Sequence, residues 1–148
     1  MDLDPVRVGE HVHGHLGWLA AAVLVHPAVL LRRPARKAHL AVAMAAIVPT
    51  LTGALGAWLY TPYRDRIKQG IFLEMRWVGM LFERKEHLAF GAILLAWSAA
   101  GAYFVAPRVE EPARSLLRTF AFRGFVAAAA LTLVVAALGT VIASYRSF

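Results

Sequence analysis

The 148-residue chain is too apolar for an ordinary soluble domain, because 59% of its residues are hydrophobic against roughly 45–50% in soluble proteins. Its net charge of +7 accompanies a mean hydropathy of +0.58. The basic residues stand in short segments between apolar runs, which indicates membrane topology and argues against binding to nucleic acid. The absence of cysteine excludes disulfides, thiolate-ligated iron–sulfur clusters and covalently attached c-type haem.

Four apolar runs predict four transmembrane helices, since each approaches or reaches the roughly 20 residues that cross a hydrocarbon core of about 30 Å. The first run follows an acidic leader and ends at Arg32 and Arg33, which argues against a cleaved signal peptide. We expect the spans at about residues 13–31, 39–60, 87–106 and 124–144. The connections predict a single domain covering residues 1–148, an all-α up-down four-helix bundle in the lipid bilayer of the cell membrane.

The longest connection lies between the second and third spans and contains the mixed segment 71–82. This segment is too interrupted to span a membrane but amphipathic enough to lie at its surface. We expect an interfacial segment here, covering a site at His15 and His87.

Basic residues are dense in the segments 32–37 and 108–123, which connect spans one to two and three to four. Cytoplasmic segments of membrane proteins collect Lys and Arg. The two sides carry equal numbers of basic residues, but the density of these loops and the acidic residues on the opposite side favour a cytoplasmic position for the loops. Both chain termini are therefore expected on the non-cytoplasmic side.

Histidines lie near or inside the ends of the predicted spans, where ionisable side chains indicate function. His15 and His26 are separated by about 16 Å of rise and roughly 20° of rotation on an ideal helix, so they share one face at two depths. His13 points about 140° away from His26. The up-down topology predicts that His87 lies level with His15, and that His39 lies level with His26.

Pairs of imidazoles from different helices at two depths are what non-covalent bis-histidyl b-type haem requires. We therefore expect His15, His26, His39 and His87 to be the axial ligands of iron in one or two haem b groups. Arg32, Arg33, Arg84 and Lys85 are candidate partners for the haem propionates, and neighbouring aromatic residues are candidate walls.

With these four histidines on its spans, the chain resembles in architecture the small four-helix membrane b-type cytochromes, the group of bacterial cytochrome b561 and superoxide oxidase. The resemblance implies a quinone-linked oxidoreductase subunit. Such a subunit transfers electrons between a quinone pool and a redox partner protein at the other membrane face.

The sequence also allows a non-haem function, either as a metal-binding module or as a structural subunit of a larger complex. It also allows the protein to form an oligomer. His11 and His15 have the four-residue spacing that chelates a divalent metal, and with His87 they form an alternative zinc, copper or iron site. His26 has the alternative role of donating a hydrogen bond to the Val23 carbonyl that Pro27 leaves free. His39 has the alternative of a solvated residue at the membrane surface.

Overall fold

The computed structural model describes residues 4–33 and 37–145, and within them the chain is almost entirely helical. The helices are α1 (Pro5–Leu30), α2 (His39–Tyr63), α3 (Gln69–Glu74), α4 (Arg76–Val105) and α5 (Ala113–Tyr145). The π-helical turn Arg64–Lys68 joins α2 to α3, and the 3₁₀ turn Ala106–Arg108 follows α4. The predicted all-helical class is confirmed, and the four predicted spans correspond to helices that extend beyond them at one or both ends.

Four helical stretches in the described part of the chain are long and apolar enough to cross a membrane. They are Pro5–Leu30, His39–Glu74, Arg76–Arg108 and Ala113–Tyr145. The first begins at an N-cap, because the Asp4 carboxylate accepts a hydrogen bond from the Val6 N–H at 2.9 Å and Pro5 occupies the first turn. The four runs whose length and apolarity predicted membrane spans thus form long helices in the structure.

A single sharp break separates α3 from α4, at Met75 with φ −142° and ψ 66°. The segment 71–82, expected to form one interfacial stretch, is instead divided between the end of α3 and the first turns of α4. The Phe72 ring lies over Gly79, where an added Cβ would approach ring carbon Cε2 to 2.6 Å. Ile71 and Val78 are fully buried and belong to one apolar cluster with Ile142, so the break lies at the end of the bundle where α5 ends. We call that end the elbow end.

The helices form a ring in which α1 packs against α2 and α5, and α4 packs against α5 and α2. Thus α1 and α4 stand on one diagonal and run parallel. The opposite end of the bundle holds the end of α1 and the start of α2, where the Ala38 N–H donates a hydrogen bond to Tyr103 Oη of α4 at 2.9 Å. We call it the basic end, after its cationic residues, Arg32, Arg33, Lys37, Arg108, Arg114 and Arg118.

The bundle interior is built mainly from alanine, with a few large side chains such as Phe125 and Leu24, and many bulky apolar side chains are exposed. Leu40 is 77% exposed, Leu116 70% and Phe90 64%, although all three belong to apolar helices. Small residues let helix backbones approach closely, which is how helices associate in membranes. The closest such approach joins α4 to α5, where a Cβ added to Gly124 would lie 2.8 Å from Ala99 Cβ.

We expect Gly124→Ala to lower the free energy of unfolding by about 1–3 kcal/mol, the usual effect of overpacking a tight contact. Ala99 has no flexible side chain to move aside, so α4 and α5 must separate. Gly101→Ala is the matched control, because its Cβ position has no neighbour within 4 Å and alanine favours the helix. Reversible unfolding in detergent measures both variants. Equal effects would contradict the close approach.

Candidate functional site

His11 and His87 are exposed imidazoles with a fixed orientation. His87 Nδ1 donates a hydrogen bond to the Glu83 carbonyl at 2.7 Å, and His11 Nδ1 donates one to the Arg7 carbonyl at 2.8 Å. A carbonyl oxygen only accepts, so Nδ1 carries the proton in each ring. In the neutral form this leaves Nε2 as an outward-facing lone pair, the state in which histidine binds a metal.

His13 occupies the bundle interior. Its ring lies against Gly56 of α2, where an added Cβ would approach His13 Cε1 to 2.8 Å. On the same helix, the Cβ position of Gly17 lies 3.9 Å from Ala136 Cβ of α5. Lys85 Cδ lies 3.9 Å from the Cβ position of Gly139 on α5, so this side chain also reaches inward.

His15 lies two positions after His13 on α1, and His87 lies two positions after Lys85 on α4. The two helices run parallel. The two histidines are therefore nearly level with one another, as the topology predicted. Two residues also turn a helix by about 200°, which points both rings outward, and both are exposed. The structure does not bring His15 and His87 together inside the bundle, and their joint ligation of a haem stays a prediction.

A group of polar residues lies towards the elbow end, beside the apolar cluster that contains Ile67, Ile71, Val78 and Ile142. We call it the polar layer: His13, Tyr60, Tyr63, Lys68, Glu83 and Lys85. Lys68 Nζ donates hydrogen bonds to Glu83 Oε1 at 2.6 Å and to Tyr60 Oη at 3.3 Å. The Tyr63 ring stacks on Phe82 with centroids 3.9 Å apart, and Lys85 Nζ lies 4.4 Å from the Phe82 centroid.

Two polar atoms of this layer are buried without a hydrogen-bond partner among residues 4–33 and 37–145, namely His13 Nδ1 and Tyr63 Oη. Sequence reasoning missed both residues as interior groups, since it placed His13 off the ligand face and gave Tyr63 no role. The signal for His13 was Gly56, a small residue on the facing helix that leaves room for an imidazole.

His26 opens into a groove of about 370 Å³ between α1 and α2. We call it the His26 groove; its larger side chains are Val23, Leu30, Lys37, Leu40 and Met44. His26 is exposed and forms no hydrogen bond with any residue that the structure describes. The alternative in which His26 binds the Val23 carbonyl is therefore not present in this conformation.

His39 opens into a second groove, of about 540 Å³, at the basic end. We call it the basic groove. Arg32, Arg33, Lys37 and Arg118 line it together with the aromatic rings of Tyr103 and Phe122. The His39 ring meets the Tyr103 ring edge-on, with centroids 5.5 Å apart. His26 and His39 thus face different grooves, which share only Lys37 and the start of α2.

In the described part of the chain, no three His, Asp or Glu side chains meet to hold a metal ion. The alternative site at His11, His15 and His87 is therefore not assembled within one chain. Comparison of the sequence and structure with protein-family models, curated proteins and solved structures finds no match.

Tyr63→Phe tests the unpartnered hydroxyl of the polar layer. We expect it to leave the free energy of unfolding unchanged or to raise it by up to about 1 kcal/mol, because it keeps the stacked ring and removes a polar group buried without a partner. Tyr60→Phe is the matched control and should lower that free energy by about 0.5–1.5 kcal/mol, since Tyr60 Oη accepts a hydrogen bond from Lys68. A larger loss for Tyr63→Phe, measured by unfolding in detergent, would mean that its hydroxyl has a partner.

Proposed function

We propose that this protein is a multi-pass membrane protein that carries b-type haem and transfers electrons. The proposal that the protein spans a membrane is supported by which side chains face inward and which face outward. Alanine fills the interior while bulky residues such as Leu40, Leu51 and Phe90 face outward. Soluble monomers rarely expose apolar surface of this extent, whereas lipid solvates it without penalty.

The haem part is carried by one observation, the His26 imidazole in its apolar groove. The ring is exposed and has no hydrogen-bond partner among the described residues, which in a membrane span is unfavourable unless a ligand or partner engages it. The groove volume of about 370 Å³ falls in the range of roughly 300–1,000 Å³ that small-molecule sites occupy. Neutral imidazole is a common axial donor to haem iron.

Each residue of the His26 groove then has a role. His26 would provide a nitrogen donor, and Val23, Leu30 and Leu40 would form the apolar lining beside the ring system. Lys37 stands where the groove meets the basic end and can neutralise a carboxylate. The haem supplies one-electron chemistry when bound, and the quinone pool and the partner protein are implied by the resemblance to b-type cytochromes alone.

The second axial ligand has two candidates. Met44 lines the same groove as His26, and His–Met pairs ligate haem in cytochromes. His39, the partner that the sequence predicted, faces the basic groove. The arrangement therefore favours Met44 over His39 at the first site. A further haem at His15 and His87 would need a second chain to close the site, because both rings face outward.

Haem content tests the assignment of His26. We expect protein purified in detergent to contain extractable haem, measured as the pyridine haemochrome, and His26→Ala to lose it because the donor nitrogen is removed. His11→Ala is the matched control, an exposed histidine of the same helix at the elbow end, and should retain the parent content. A parent that neither contains haem nor takes up added haemin would refute the proposed function; equal content in parent and His26→Ala would refute the ligand.

The spin state of the iron identifies the second ligand. We expect Met44→Leu to convert low-spin iron to high-spin, because the loss of one axial donor leaves a five-coordinate centre, while His39→Ala keeps the low-spin spectrum. Optical and electron paramagnetic resonance spectra measure this change. The reverse result would restore the pairing of His26 with His39.

A further inference from the structure

The basic groove gathers four cationic side chains without a compensating acid. Arg32 and Arg33 follow α1, Lys37 precedes α2, and Arg118 belongs to α5, yet all four line one groove. The lining contains no Asp or Glu. The ion pairs that the structure describes join Arg64 to Asp65, Arg66 to Asp4 and Lys68 to Glu83, so none involves these four cations.

Like charges held together at a groove repel one another, and an anion between them removes the repulsion. Arginine is well suited to phosphate, because its planar guanidinium donates two parallel hydrogen bonds to two phosphate oxygens. The three arginines here are exposed, so their donors are accessible to a ligand from outside the chain.

The rest of the groove is apolar. Leu31, Ala106, Pro107 and Phe122 line it beside the cations, and Tyr103 adds a ring whose hydroxyl is already engaged by the Ala38 N–H. A ligand that fills the groove therefore carries negative charge at one end and apolar groups at the other. The groove also lies at the end of four helices of membrane-spanning length, the level at which lipid headgroups lie in a membrane.

We propose that the basic groove binds the phosphate headgroup of an anionic membrane lipid. Basic pockets between helices at the cytoplasmic side of membrane proteins bind such headgroups, and the short arginine-rich loops predict that side for this end. The site shares only Lys37 with the His26 groove, so lipid binding can be measured on protein without haem.

Thermal unfolding of the delipidated full chain in a neutral detergent tests the proposal with three probes: phosphatidylglycerol, phosphatidylcholine and inorganic phosphate. We expect phosphatidylglycerol to raise the unfolding temperature in a saturable manner, because a ligand that binds only the folded state stabilises it. Phosphatidylcholine should have no comparable effect, since its headgroup is zwitterionic. Inorganic phosphate should act only at much higher concentration, since it lacks the apolar part.

The double variant Arg33→Gln/Arg118→Gln should bind phosphatidylglycerol at least about tenfold more weakly, as the loss of charged hydrogen bonds requires. The matched control is Arg76→Gln/Arg84→Gln, which removes two exposed arginines from the elbow side and should keep the parent affinity. Because all four residues are exposed, each variant should unfold at the parent temperature without lipid. Equal stabilisation by both lipids, equal potency of inorganic phosphate, or equal losses in the two double variants would overturn the proposal.

Discussion

The structure depends on the close approach of helices through small side chains. At the contact of Gly124 with Ala99, α5 meets α4 with no room for another carbon, and alanine fills most of the remaining interior. A core of small residues leaves little space inside, so few large side chains such as Leu24 and Phe125 are buried and many of the others are exposed. The apolar composition of the chain and the outward direction of its large side chains therefore have one cause, and lipid is the solvent that makes both stable.

The same packing decides which polar side chains face inward. Gly56 leaves space on α2, and the His13 ring fills it; the Lys85 side chain passes Gly139 of α5 at an ordinary contact distance. Since neighbouring positions on a helix are about 100° apart, placing His13 and Lys85 inside fixes His15 and His87 outside. The outward histidines follow from the inward positions of His13 and Lys85, and a haem held between them would require a surface from beyond the bundle.

Depth along the helices was predictable from the sequence, whereas rotation about their axes was not. The lengths of the apolar runs predicted where the helices lie in the sequence. The up-down order of the helices predicted that His87 lies level with His15. Helices that are apolar on every side carry no strong pattern to show which face is interior, so the inward position of His13 was missed. The break at Met75 was also missed, because the backbone changes direction there without Pro or Gly, supported by the contact of Phe72 with Gly79.

The two ends of the bundle differ in the partners that surround their charged side chains. At the elbow end, Lys68 is neutralised by Glu83 and Lys85 lies over the Phe82 ring, so the charges are compensated within the chain. At the basic end the cations line an open groove that has no acidic residue in its lining, an arrangement that suits an anionic ligand. Lys37 lines both grooves, so an anion that holds this side chain in one groove changes the charge presented to the other. Because linkage between two binding events is reciprocal, any coupling through Lys37 between the proposed lipid and the proposed haem carboxylate would change both affinities by the same factor.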